Sequence, residues 1–297
     1  MNCKVTSFAE VSANLFPENV EMEKIADGYR FTEGPVWDSD KNCLYFTDFQ
    51  DDRIYCWTQA GGAVLYRDNA HRPIGLSMSS DGRIISTESS MHRIAFSDSE
   101  KSEVIVQAFQ GKRFNSPNDV VAAPDGSIWF TDPYSTAMGA DRELDINGVY
   151  RISPDRNVLL ACGSINRPNG IAFSPDGSIL YVNDTDLQQI FSFDILTEDE
   201  MKENELTPHL FAELDPSYGA GAPDGMKTDV LGNVWVTGPG GIWVISPEGK
   251  PIAILHCPEF VGNFCFGGDR NQTLFITAST SVYKMNVNVQ GIVPVRI

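Results

Sequence analysis

Apolar and polar positions alternate along this chain in short bursts, each closed by a turn signal, and one composite pattern returns six times. It reads "TEGPVWDSDKNCLYFTD" (32–48), "PIGLSMSSDGRIISTE" (73–88), "PNDVVAAPDGSIWFTD" (117–132), "PNGIAFSPDGSILYVND" (168–184), "PDGMKTDVLGNVWVTG" (223–238) and "GNFCFGGDRNQTLFITA" (262–278). Each segment predicts a short strand, a turn usually built on Asp-Gly or Gly-Asn, and a second strand rich in Ile, Leu, Phe, Trp and Val. Asp-Gly between apolar runs is a hairpin signal, because its positive-φ conformation matches the twist of paired strands. A third strand usually follows, as in "RIYCW" (53–57), "GVYRIS" (148–153) and "QIFSFD" (189–194). A fourth follows that, as in "AVLYR" (63–67), "VIVQAF" (104–109), "VLLAC" (158–162) and "HLFAEL" (209–214).

Six units of about four strands, with almost no helical periodicity, predict an all-β protein: a six-bladed β-propeller with four-stranded blades, one domain over residues 1–297. Two stacked sandwiches explain neither the count nor the regularity. Residues near "EMEKIA" (21–26) are expected to complete the sheet of the last blade and close the ring. "TEDEMKEN" (197–204) is the one helical turn, read as a charged loop insertion.

Aligning the units by strand pattern brings Glu33, Ile74, Asn118, Asn169, Asp224 and Asn263 to one position, 13 or 14 residues before a slot held by Thr47, Thr87, Thr131, Asn183, Thr237 and Thr277. The first strand of a propeller blade is innermost, so equivalent opening residues form a ring at one mouth of the channel. Five of these six side chains carry oxygen. "PNG" or "PDG" alone would indicate only a tight turn; the shared register is what points to a metal. Glu33, Asn118, Asn169 and Asp224, with Asn263 as a further candidate, can surround a hard divalent cation with water completing its shell. No Cys or His falls in the ring, which disfavours zinc and copper. Ca2+ is the expected ion, with Mg2+, Mn2+ or Zn2+ as alternatives. The residues after the Thr slot include Asp48, Glu88, Asp132 and Asp184. Asp132 and Asp184 are expected to orient the two amide ligands from behind or to bind a second ion; Asp48 and Glu88 can equally cap strand ends.

Composition narrows the partners. The net charge of −18 repels nucleic-acid phosphates and anionic membranes. Hydrophobic residues at 42% suffice for a large core. The N-terminus "MNCKVTSFAEVSANLF" lacks the basic-then-apolar run of a signal peptide, and no stretch is apolar enough to span a bilayer, so a soluble cytoplasmic protein is expected. Cys3, Cys43, Cys56, Cys162, Cys257 and Cys265 show no CxxC and read as reduced thiols, with a Cys43–Cys56 bridge across one hairpin as the alternative. No motif fixes an oligomeric state.

"EGPVWD", "SPNDV…PDGSIWFTDP", "RPNGIAFSPDG" and "PDGMKTDVLGNVWVT" together resemble the SMP-30/gluconolactonase/luciferin-regenerating-enzyme family from about residue 25 to 290. "TGPGGIWVISPEGK" (237–250) and "GNFCFGGDRNQTLFITASTSVYKM" (262–285) are more similar to its bacterial gluconolactonases than to regucalcin. The resemblance implies a six-bladed propeller with one axial divalent metal, usually calcium, held at Glu33, Asn169 and Asp224. It implies a further metal or substrate contact at Asn118. Those residues are the ring found by register.

The resemblance also implies lactone hydrolysis, for example of D-glucono-1,5-lactone to the aldonic acid. Asp224 is the expected general base and Asn118 its catalytic companion, with Lewis-acid help from the ion. Arg113, Tyr134, Asn118 and Asn263 are expected to contact substrate. Two other readings stay open: an organophosphate or phosphotriester hydrolase on the same site, and a non-catalytic calcium-binding propeller. GxSxG, HExxH and phosphate-loop motifs are missing from the sequence, and His71, His92, His209 and His256 occupy unrelated contexts, with His71 alone near the mouth.

Overall fold

The computed structural model describes residues 3–134 and 142–292. Its strands form six antiparallel sheets of four strands in a ring, with a fifth strand on one of them. The innermost strands are Thr32–Asp38, Pro73–Met78, Val120–Ala122, Pro168–Phe173, Met226–Thr228 and Val261–Gly267. Each packs against the innermost strand of the next blade, and the last packs against the first. Most of their residues are buried, since both faces of an inner strand meet a neighbouring blade. The expected six-bladed propeller is the observed fold.

Ring closure follows the expectation. Glu23–Asp27 pairs antiparallel with Ser281–Asn286 and becomes the outer strand of the sixth blade. One addition was not legible in the pattern: Val5–Ser7 pairs with Pro251–Leu255 as a fifth strand of the fifth blade. Between these two pairings Leu15, Phe16 and Met22 are buried in the core shared by the fifth and sixth blades.

The Asp-Gly turns adopt the predicted conformation. Gly126 and Gly177 have φ of 83° and 73°, and their amides donate to Ala123 and Ser174. The run "VIVQAF" does not form one strand. Ser102–Val106 is the outer strand, and Ala108–Phe109 then pairs with Lys112–Arg113 across Gln110 and Gly111, both at positive φ. That two-residue turn, not visible as an apolar burst, carries Arg113 away on its own hairpin. The helical turn is Glu198–Met201, closed by a reciprocal Thr197–Glu200 capping box, and it buries Met201. None of the six cysteines forms a disulfide, so Cys43 and Cys56 are not bridged.

Candidate active site

Glu33, Asn118, Asn169 and Asp224, from the first, third, fourth and fifth blades, line one cavity of about 360 Å³ at the mouth of the channel. Ile74 lines the same cavity and supplies an apolar side. Five of the six positions aligned by register therefore line one cavity; the sixth, Asn263, does not.

The Thr slot fixes the backbone of this ring, and at four of its six positions it does so between blades. Thr47 Oγ1 donates to the Ile74 carbonyl at 3.1 Å, Thr87 to Asn118 at 2.9 Å, and Thr131 to Asn169 at 2.7 Å. Asn183 Nδ2 donates to the Asp224 carbonyl at 2.7 Å. The last two slots turn back on their own blades: Thr237 Oγ1 accepts from the Asp224 amide at 2.8 Å, and Thr277 donates to Asn263 at 3.0 Å. The residue after each ring position is Gly34, Gly75, Asp119, Gly170, Gly225 or Phe264. A Cβ at Gly34 would collide with the Ile74 carbonyl, and one at Gly170 with the Asp224 carbonyl, so these glycines let neighbouring blades close on the axis.

Asp119 and Phe264 break that glycine series, and the Asp119 carboxylate acts on Glu33 and Asp224. It is buried, lies 3.9 Å from Lys227 Nζ, and has one oxygen without a hydrogen-bond partner. The hydrophobic pattern does not single it out, although "PND" in place of "PNG" marks the position. Asn263 belongs to the same buried layer. Its amide contacts Glu33 and Asp119, its Oδ1 accepts from Phe264 at 2.9 Å, and it stands outside the cavity lining rather than on a substrate surface.

Negative charge is crowded here. Burial raises Glu33 above the usual carboxylate range, opposed mainly by the Gly34 amide at 2.8 Å. Asp224 is raised well above its ordinary value by burial, then by the charges of Glu33 and Asp119. Asn169 is aimed by a relay: its Nδ2 donates to Thr185 Oγ1 at 3.1 Å, which donates to the Pro223 carbonyl at 2.8 Å. Asn169 Oδ1 is left buried without a partner. Orphaned oxygens on Asn169 and Asp119, and carboxylates raised by burial and then by one another's charge, are what a hard cation would relieve, so the residues fit a divalent ion with oxygen ligands. Among the described residues no trio of His, Cys, Asp and Glu is close enough to hold an ion alone; the donor set is complete only with its amides.

The acids after the Thr slot act through the backbone. Asp132 accepts from the Asn115 and Ser116 amides at 2.8 and 2.7 Å, and burial raises it to about 7. Asp184 accepts from Asn166 and Arg167 at 2.9 and 3.1 Å, and Asp48 from Arg30 and Phe31 at 2.9 and 3.0 Å. Each pins the loop two or three residues before its blade's ring residue, instead of touching a ligand side chain. Glu88 pairs with Arg93 at 2.6 Å.

Two expected substrate contacts lie elsewhere. Arg113 interacts with Glu143, its amide donating at 2.8 Å and Nε standing 3.5 Å away, and it is not part of the cavity lining. Tyr134 donates its amide to Asn147 and carries Arg142 5.2 Å from its ring, beside the lining residue Pro133. The cavity is lined instead by Arg72, Arg167, Gln50, Phe31 and Phe49, none singled out by sequence. His71 does not line it; Arg72, the next residue, does. Below the polar layer a void of about 120 Å³ continues along the axis between Val36, Leu76, Val120 and Ile171, with Lys227 at the boundary.

Comparison with known proteins decides the kinship. Residues 31–280 match the family model of the SMP-30/Gluconolactonase/LRE-like region. The chain belongs to that family. It is 32% identical to the gluconolactonase of Zymomonas mobilis, over 97% of this chain and 87% of that one. It is 26% identical to a pentonolactonase of Haloferax volcanii, covering 84% and 82%. Among solved structures, a gluconolactonase from Xanthomonas campestris superposes with a TM-score of 0.85 at 28% identity, covering 97% and 95%. Among the described residues no helix is long and apolar enough to cross a membrane.

Proposed function

We propose that this protein hydrolyses a sugar lactone to its hydroxy acid, using a divalent cation, calcium foremost, held by Glu33, Asn118, Asn169 and Asp224. The observation that carries this reading is the convergence of four oxygen-bearing side chains from four blades on one cavity whose Ile74 side offers no ligand. A purely structural ion would be enclosed by protein donors, whereas this arrangement leaves room for substrate and water. The gluconolactonase and pentonolactonase relatives support the lactone class.

When bound, such a cation supplies Lewis-acid polarisation of an ester carbonyl. Asn118 and Asn169 present amide groups, held by backbone bonds from Thr87 and Thr131, that orient the substrate oxygens. Asp224, with its backbone fixed by Asn183 and Thr237, takes the proton from the attacking water at its carboxylate. Phe31, Phe49 and Ile74 give the cavity an apolar wall. The cytoplasm is the proposed location, on the cysteine usage of the sequence.

The test is a pH-indicator assay of a lactone panel, with and without EDTA, on wild type and Asp224→Asn. Turnover that EDTA abolishes and Asp224→Asn lowers by about a hundredfold or more is expected. Metal-independent turnover, or full activity in the variant, sinks the mechanism. A phosphotriester arm on the same proteins separates that hydrolase reading, and binding of calcium without any turnover leaves only the scaffold.

A further inference from the structure

Two arginines, Arg72 and Arg167, line the cavity, and they differ in one respect. Arg167 is ion-paired with Asp186 at 3.0 Å. Arg72 has no ion pair among the described residues; its guanidinium centre lies 6.0 Å from the ring centroid of Phe49. Phe49 in turn meets Phe31 edge-on at 5.4 Å, so the group stands on an aromatic floor.

The loop that carries Arg72 is built to hold it. His71 and Arg72 are consecutive non-glycine residues in the left-handed region, with φ of 66° and 50°. Such conformations persist only where the surroundings over-determine them. Here the Arg72 amide donates to the Asp52 carboxylate, and the Arg72 carbonyl accepts from Ser89 Oγ at 2.6 Å and from the Ser89 amide at 3.3 Å. The His71 carbonyl accepts from the Ser90 amide at 3.2 Å. Backbone anchored on both sides leaves the long side chain as the projecting part.

Neutral groups suffice for the hydroxyls of a neutral sugar, and the cavity already has Asn118, Asn169, Gln50 and Ser116. A planar cationic fork adds the ability to grip a carboxylate or phosphate with two parallel hydrogen bonds. Leaving that charge partly desolvated without a counterion is unfavourable unless the ligand brings one. We propose that Arg72 is a specificity residue for a second, anionic group on the substrate, so that the cavity favours sugar lactones bearing a carboxylate or phosphate on their carbon chain. The proposal rests on the lactonase reading and names its substrate class.

The test separates binding from turnover. Gluconate, glucarate and 6-phosphogluconate are titrated calorimetrically, with excess calcium, into wild type, Arg72→Met and Arg72→Lys; the corresponding lactones are assayed in parallel. Wild type is expected to bind at least one of the two acids with a second anionic group about tenfold or more tighter than gluconate, the scale of a charge-assisted hydrogen bond. Glucarate and 6-phosphogluconate tell carboxylate from phosphate. Arg72→Met should collapse that ratio, Arg72→Lys should restore part of it, and on the preferred lactone KM should rise more than kcat falls. A wild type without the preference overturns the proposal, as does a preference that survives in Arg72→Met. Equal weakening of all three acids also overturns it, because Arg72 would then only offset the charge of Glu33 and Asp224. A binding preference with no lactone turnover strikes the reaction reading instead and leaves the anion site standing.

Discussion

Asn118 and Asp119 are neighbours with divided tasks. The Asn118 backbone is held by the Gly75 amide donating at 2.8 Å and by Thr87, while its side chain faces the cavity. Asn118→Ala should therefore leave stability within about 0.5 kcal/mol in urea unfolding. It should lower kcat/KM by about a hundredfold or more in the lactone assay; equal losses in both would make Asn118 structural. Asp119 faces Lys227 in the buried layer. Lys227→Met should cost about 3 kcal/mol, since it strands a buried carboxylate, and Asp119→Asn in the same chain should recover part of that cost. A double variant no more stable than Lys227→Met would disprove the coupling. At this scale the ring was legible because several oxygen-bearing residues share one register. Arg72 was not, because two left-handed residues bring it to the cavity and hydrophobic pattern does not encode them. Asp119 was legible in principle, as the one carboxylate in a glycine slot.

The element scale is governed by the Thr slot. Thr131→Val keeps shape but removes the donor to Asn169, leaving a buried carbonyl short of a partner. A loss of about 1–2 kcal/mol in unfolding free energy is expected, together with a fall in lactonase activity. Unchanged stability would mean that the hydroxyl does not join the third blade to the fourth. Strands were readable as apolar bursts bounded by Asp-Gly because inner and middle strands are buried on both faces. The outer strand Val5–Ser7 escaped notice for the opposite reason: three residues on a sheet edge, partly exposed, carry almost no pattern. Arg113 was misplaced by the same kind of short element, the hairpin at Gln110 and Gly111.

Across the whole molecule, the ring draws its donors from the first, third, fourth and fifth blades, so an ion there ties together parts of the chain far apart in sequence. Calcium should raise the midpoint of thermal unfolding and EDTA reverse it, with about 2.7 kcal/mol gained at a hundredfold excess over Kd. Scanning calorimetry reads this without any substrate, and an unmoved midpoint would refute the ion site. Closure is the second global bond. Ala26→Pro sits in the pairing with Val282 and should lower the midpoint for the entire ring in one transition, not release the sixth blade alone. A separate early transition confined to one blade would contradict that cooperativity.

The same closure sets a timetable for biosynthesis. Glu23–Asp27 is translated near the start, yet its partner Ser281–Asn286 arrives only at the end. At 5–20 residues per second the strand waits on the order of ten to fifty seconds. Throughout that wait the nascent chain has two unmatched borders, one at each end of the growing arc. Such borders invite pairing with another polypeptide, so crowded polysomes and slow translation of the last blade are the circumstances in which this protein is most exposed to misassembly.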